Sequence, residues 1–360
     1  MAPVTLNLEA DVVELTREIC DIESVSGNEK ALADAIEAAL SAYPHLEVIR
    51  DADAIVARTN LGRDSRVVIA GHIDTVPVAN NLPVQLLSME REQVLYGRGT
   101  VDMKAGVAVQ LKLAATVAEP NVDVTWIFYD HEEVEASKNG LGRLSRNRPD
   151  LLQANFAVLC EPTSAQVEGG CNGTMRVDLT FRGVKAHSAR PWMGKNAIHG
   201  AAQALTILAN YQPAEIDVDG LVYRESLNAV LISGGIATNV IPDETVVTVN
   251  YRFAPSKSGA EAEAHLREVF AGFELVVTDV AEGARPGLDR PEAAAFVAAT
   301  KTEARPKYGW TDVARFSELG VPAVNYGPGD PSKAHADDEA VPCSQIYACE
   351  SGLRSWLTVG

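Results

Sequence analysis

A chain of 360 residues, 46% hydrophobic and 22% charged, has the mixture of a soluble globular protein, and its length exceeds what one hydrophobic core usually serves, so two domains are expected. The net charge of −18 argues against nucleic acid as a partner, because phosphate binding draws on clustered Lys and Arg; an anionic small substrate fits that charge only where local arginines meet it. No apolar run approaches the roughly 20 residues that span a bilayer, the opening MAPVTLNLEADVV has neither a basic n-region nor a continuous apolar h-region, and the five scattered cysteines contain no C-x-x-C pair, so no membrane contact, reduced thiols and a cytoplasmic location are expected.

In chain order, Ser26-Gly27-Asn28-Glu29 reads as a capping box opening a helix whose Leu32, Ala35, Ile36, Ala39 and Leu40 follow helical spacing, and is taken as scaffold. Short apolar runs then alternate with helical stretches: Val67 to Ala70, Val107 to Val117, Val124 to Tyr129, Phe156 to Leu159. Buried strands alternating with helices predict an α/β layered domain. After Gly169-Gly170 the period changes to two, with Met175, Val177, Leu179 and Phe181 on one face and Arg176, Asp178, Thr180 and Arg182 on the other. A helix from Asn196 to Tyr211, a strand near Ala229 to Ser233, a period-two strand with Val247, Val249, Tyr251 and Phe253, a helix from Gly259 to Phe270 and a strand from Leu275 to Val280 complete a β-α-β-β-α-β order, which is the ferredoxin-like arrangement. Glu282 to Gly287 reads as a return linker, and the α/β pattern resumes through Ala293 to Ala299 and Val321 to Tyr326. The expected layout is an α/β domain of mixed sheet flanked by helices over residues 1–173 and 286–360, interrupted by an α+β domain over 174–285.

Chemistry concentrates where the strands of the large domain end. Val67 to Gly71 runs into His72-Ile73-Asp74, Val124 to Tyr129 into Asp130-His131-Glu132-Glu133, and Phe156 to Cys160 into Glu161-Pro162. Val321 to Tyr326 is followed by a Gly/Pro-rich loop and His335, and Asp102 stands just before a predicted helix. The carboxyl ends of strands form the functional rim of open α/β sheets, and carboxylates gathered there without partners cost several kcal/mol in desolvation. Divalent metal supplies the partner. Two histidines with three carboxylates suit zinc, or cobalt or manganese, rather than calcium, and three carboxylates with a hydroxide balance two ions, with Asp102 the natural bridge. Asp74, two residues from His72, is placed to hydrogen-bond the imidazole. Of the adjacent Glu132 and Glu133, only one can face the metal, and the other is the expected general base. His45, His199 and His265 are read as structural, and His131 is not counted among the ligands. Gly97-Arg98-Gly99 fails as a dinucleotide fingerprint because Asp102 stands where the third glycine belongs, and no P-loop, H-E-x-x-H or G-x-S-x-G occurs.

The segments Gly71 to Pro77, Gly97 to Gly106, Glu132-Glu133, Cys160 to Thr163 and Ala334-His335 resemble the M20 metallopeptidase family over nearly the whole chain. The resemblance implies two zinc ions, His72 and Glu161 on one, Glu133 and His335 on the other, Asp102 bridging, Asp74 orienting His72 and Glu132 as base. It implies that the inserted domain is a lid that forms a homodimer. Arg182 to Pro191 is similar to the family's lid segment whose histidine, here His187, reaches the partner subunit's site to stabilise an oxyanion. Thr238 to Pro242 is similar to the loop whose asparagine, here Asn239, meets substrate. Gly309 to Phe316 and Asn325 to Pro331 resemble the branch that removes succinate from N-succinyl-L,L-2,6-diaminopimelate in lysine and diaminopimelate synthesis. Gly327 and two carboxylate clamps, Arg252 and Arg315, are the substrate contacts expected for it. The alternatives are another amide hydrolase of the family, such as an acetylornithine deacetylase, an aminoacylase or a dipeptidase, and a catalytically silent metal-binding dimerisation protein.

Overall fold

The computed structural model describes residues 5–89 and 92–359. The chain divides into two compact units, Met1–Gly169 with Pro286–Arg305 and Arg315–Gly360, and Gly170–Arg285 with Pro306–Ala314.

The first unit is built on an eight-stranded sheet in the order Glu47–Asp51, Ala54–Arg58, Asp123–Tyr129, Arg66–His72, Phe156–Leu159, Ala323–Asn325, Glu168–Gly169 and Arg305–Pro306. Its four central strands are parallel neighbours: Arg66–His72 pairs on one side with Asp123–Tyr129 and on the other with Phe156–Leu159, which pairs with Ala323–Asn325. Every residue of Asp123–Tyr129 and Phe156–Leu159 is buried, because a parallel sheet is covered on both faces and so reads as continuous apolar sequence. The helix Lys104–Thr116 buries nearly all of its residues, and the core it shares with Val12–Cys20 and Cys343–Thr358 draws on Leu15, Ile19, Val107, Leu111, Ile346 and Leu353. Each such side chain, fully buried, contributes about 1.5–3 kcal/mol. A small sheet of Gln85–Met89, Glu92–Tyr96 and Ala340–Pro342 stands beside it; the pairing of Ala340 with Tyr96 brings the loop that carries Asp102 next to the loop that carries His335. Among the described residues no helix is long and apolar enough to cross a membrane.

The second unit holds a four-stranded antiparallel sheet in the order Ser226–Gly234, Glu244–Phe253, Gly173–Arg182, Glu274–Ala281. Met175, Val177, Leu179 and Phe181 face the same core as Val247, Val249, Tyr251 and Phe253, and the helices Ala202–Asn210 and Gly259–Val269 cover it through Ala204, Ala262 and Leu266. This is the ferredoxin-like order expected from the alternation. The helix expected from Asn196 to Tyr211 is interrupted at Ala201, leaving Ala197–Gly200 capped by the Asn196 side chain and then Ala202–Asn210.

One local expectation is overturned. Ser26 does not cap the helix Lys30–Leu40, whose N-cap is Glu29 with no side-chain cap bond. Its hydroxyl instead donates to Asp74 Oδ2 at 2.6 Å, and Glu29 Oε1 accepts from the Gly27 N–H at 2.9 Å. A charged, buried carboxylate is a strong acceptor for a hydroxyl proton, and it sets the direction of the Ser26 side chain.

Candidate metal centre

Parallel register sets the rim. His72 lies opposite Tyr129 and Ala70 opposite Leu159, so His72, the Glu132-Glu133 pair and Glu161 emerge together at the carboxyl ends of adjacent strands. Asp102 enters from the loop before the helix Lys104–Thr116, across a cis Asp102–Met103 peptide, and His335 from the loop after Ala323–Asn325. Donor atoms of His72, Asp102 and Glu161 lie within 4.8 Å of one another, as do those of Asp102, Glu133 and His335; a third such group joins His72 to Glu132 and Glu133. Asp102 is common to the first two groups. His72 Nε2 is 3.1 Å from Asp102 Oδ1, and His335 Nε2 lies 2.9 Å from Glu133 Oε2 and 3.4 Å from Asp102 Oδ2.

The electrostatics state what the cluster demands. Burial opposes charge on His72, but hydrogen bonds to Asp102 and Asp74 outweigh it and carry the imidazole well above its ordinary pKa. Hydrogen bonds to Asp102 and Glu133 push His335 up to about 10. Burial would raise Asp102, yet the two imidazoles hold it below the usual carboxylate range. Crowded carboxylates pull positive charge onto whatever faces them. Two imidazoles and three carboxylates with one carboxylate shared are the donor set of a pair of divalent ions, and the residues present fit such a pair.

The surrounding bonds differ from a simple carboxylate-histidine pair. His72 Nδ1 is 3.0 Å from the Asp74 carbonyl and 3.4 Å from its Oδ1. The Asp74 carboxylate spends its closer bonds elsewhere: Oδ1 accepts the Glu132 N–H and Oδ2 the Glu133 N–H, both at 3.0 Å, with the Ser26 hydroxyl also on Oδ2. Burial raises Asp74, but its bonds to His72, to Ser26 and to the Glu133 amide hold it down at about 2. Glu339, which sequence reasoning missed, is 1% exposed and accepts the N–H groups of Val101 at 2.8 Å and Asp102 at 3.0 Å. Its other oxygen takes Arg98 Nη1 at 2.9 Å, and the same guanidinium donates to Pro77 O and Ala336 O. The Arg98–Glu339 pair therefore ties the Asp102 loop to the His335 loop, where φ of His335 is +64°. The only trace of this in the sequence is an arginine between two glycines.

His131 belongs to none of the ligand groups among the described residues; its Nδ1 is 2.7 Å from Asp130 Oδ2, which Arg143 also holds. His45 and His265 contact the Ala114 carbonyl and the Tyr211 hydroxyl, as structural histidines do.

In the second unit, His187 pairs with Val240 across a two-residue ladder and the Ser188 N–H donates to Asn239 O at 2.9 Å, so the expected histidine and asparagine share one exposed edge. Arg252 is half-buried, its Nε on Asn250 Oδ1 at 3.2 Å; burial first, then nearby Arg176, lowers its pKa. In the first unit, Arg315 lies along the helix Gly140–Asn147, where a Cβ on Gly142 would come within 2.9 Å of its Nη1. Gly327, expected to meet substrate, is engaged internally: its N–H reaches Thr163 Oγ1, its carbonyl accepts from Ala165, and a Cβ there would meet the backbone oxygens of Cys160 and Glu161 at 2.3 and 2.5 Å. Its place is against the segment carrying Glu161.

The sequence profile of peptidase family M20/M25/M40 matches residues 68–358, the span that contains every donor of the centre. The chain belongs to this family. Within it, a protein of Mycobacterium tuberculosis (strain CDC 1551 / Oshkosh) provisionally named succinyl-diaminopimelate desuccinylase DapE is 52% identical over 355 residues, 98% of this chain and 99% of that one. A succinyl-diaminopimelate desuccinylase of Corynebacterium glutamicum is 45% identical over 364 residues, 98% of each chain. Among solved structures, a tripeptidase from Staphylococcus aureus superposes with a TM-score of 0.79 at 21% identity over 99% of both chains. The YXEP protein of Bacillus subtilis, described as a dinuclear metal binding peptidase of the M20 family, gives 0.69 at 16% identity over 97% of both. At these identities the family's solved structures speak for the fold alone.

Proposed function

We propose that the chain is a two-metal amidohydrolase that cleaves N-succinyl-L,L-2,6-diaminopimelate to succinate and L,L-2,6-diaminopimelate in the cytoplasm. The observation that carries the substrate is the 52% and 45% identity, end to end, to relatives named for that reaction. Five buried, unpaired thiols suit a reducing compartment. In this reading His72 and Glu161 hold one divalent ion, Glu133 and His335 the other, and Asp102 both, with zinc the natural occupant and cobalt or manganese able to substitute. When bound, the pair supplies Lewis acidity at the scissile carbonyl.

Glu132 accepts a proton from the attacking water and passes it to the departing amine as the C–N bond breaks, a general-base and general-acid role that contributes typically 10²–10⁴-fold. The backbone bonds from Asp74 support it, since they fix Glu132 and Glu133 at one carboxylate through their amides and engage neither side chain. His187 of the partner subunit donates to the oxyanion, Asn239 positions the amide, and Arg252 and Arg315 pair with substrate carboxylates. The homodimer is supported by the edge strand Ser226–Gly234, where Val230, Leu231 and Ile232 are 58%, 64% and 51% exposed on an edge that no strand among the described residues covers. Turnover of a panel by purified, zinc-loaded protein tests the reading: N-succinyl-L,L-2,6-diaminopimelate, N-acetylornithine, N-acyl amino acids and dipeptides. Cleavage of the succinyl substrate with the highest kcat/KM is expected; preference for acetylornithine or a dipeptide overturns the substrate assignment.

A further inference from the structure

The segment 22–29, between the first two helices, is not scaffold. It lies along 73–75 as a strap: Ser24 Oγ donates to Ile73 O at 2.6 Å, Thr75 N–H to Ser24 O at 3.0 Å and Ser26 N–H to Thr75 O at 3.1 Å. Its start is held by the buried Lys104, whose Nζ donates to Ile22 O at 2.9 Å. From this strap two side chains reach the turn that presents Glu132 and Glu133. The Ser26 hydroxyl seats Asp74, which receives the N–H groups of Glu132 and Glu133, and Glu29 Oε1 receives the N–H of His131 at 3.2 Å. Three consecutive amides, 131 to 133, are thus capped by two carboxylates belonging to or braced by one segment, at a turn where φ of His131 is +58°. Gly27 supplies the φ of +91° that the strap's turn requires, and a Cβ there would be in ordinary contact with His131 Nε2 at 3.9 Å. Nothing in a capping box would aim a serine at a carboxylate 48 residues on and a glutamate at an amide 102 residues on.

We infer that Ser26 and Glu29 are positioning residues: the strap sets the backbone of 131–133, and through it the direction of the Glu132 and Glu133 carboxylates. This rests on the proposed roles of Glu132 as base and Glu133 as ligand. Bonds that support ligands from behind cost typically 10–100-fold in metal affinity or activity when removed. In Ser26→Ala, kcat is expected to fall about tenfold or more with KM changed less than twofold, and Co²⁺ titrated into the metal-stripped full-length protein to bind about tenfold more weakly, while Ser26→Thr, which keeps the hydroxyl, restores both.

Three measurements on wild type, Ser26→Ala and Ser26→Thr separate the outcomes: Co²⁺ affinity by calorimetry, kcat and KM, and the melting temperature of the metal-free protein. A lower melting temperature with unchanged kcat and Co²⁺ affinity overturns the inference, leaving Ser26 a structural residue. If wild type cleaves no amide in the panel but Ser26→Ala still weakens Co²⁺ and Ser26→Thr rescues it, the positioning role stands and the proposed reaction falls. Should Ser26→Ala not fold, Glu29→Ala loosens the other end of the strap; it is expected to weaken Co²⁺ several-fold, and unchanged affinity overturns the inference.

Discussion

Asp74 holds Glu132 and Glu133 by their amides, so neighbouring side chains for which different duties are proposed share one support. That arrangement makes Glu132→Gln a clean substitution: the amide bond to Asp74 remains and no assigned ligand is lost. It is expected to retain two metal equivalents by elemental analysis while kcat falls at least about a hundredfold. Retained turnover would mean that the base is misassigned, and loss of one metal would make Glu132 a ligand, which its closeness to His72 and Glu133 allows geometrically. Glu339 is a sharper test of the supporting bonds. It is buried with Arg98, and removing one member of a buried pair leaves the other's charge without its close counter-charge, at a cost of about 3–5 kcal/mol. Glu339→Gln should lower the unfolding free energy by about 3 kcal/mol in urea and weaken metal binding, because the Val101 and Asp102 amides lose a charged acceptor. A loss below about 1 kcal/mol would mean that the pair's desolvation cancels its attraction.

Elements with the same sequence signal behave differently here. Ser258-Gly259-Ala260-Glu261 forms the reciprocal capping box of the helix Gly259–Val269, whereas Ser26-Gly27-Asn28-Glu29 forms none. The difference lies outside the motif: Ser258 has only its own helix to serve, while Ser26 meets a buried carboxylate from a strand end. Asp123, at the entry to its strand, is another such anchor, accepting the N–H groups of Leu61 and Arg63 and the Thr59 hydroxyl. Burial raises its pKa, but these three donors outweigh it and hold the carboxyl below its ordinary value. A lowered folded-state pKa gives stability that is complete above the unfolded value, about 4, and is lost as pH falls through the folded one. Asp123→Asn should therefore be destabilised relative to wild type at pH 7, with the gap narrowing as pH drops below about 4. A gap independent of pH would assign the effect to shape rather than charge.

At the scale of the whole molecule, the proposed homodimer makes the remaining predictions. Leu231→Lys on the edge strand should convert the dimer to monomer by sedimentation and remove turnover; an active monomer would refute the shared site. Mixing inactive Glu132→Gln with inactive His187→Ala should restore activity, since each heterodimer then owns one site with both groups, and no recovery would remove His187 from the partner's site. The sequence alone determines much of this protein. Continuous apolar runs mark the parallel strands because both sheet faces are covered, period-two alternation marks the second unit because one face is wet, and polar residues at strand ends mark the rim. These are local signals, written within a few residues of where they act. What the tertiary structure alone decides is long-range: that Ser26 leaves its helix for Asp74, that Arg98 meets Glu339 across about 240 residues, that Gly327 packs on Glu161, and that residues 306–314 join the second unit. No spacing encodes such pairings, because a hydrogen-bond donor takes whichever buried acceptor folding brings to it, and that acceptor is set by the packing of the whole chain.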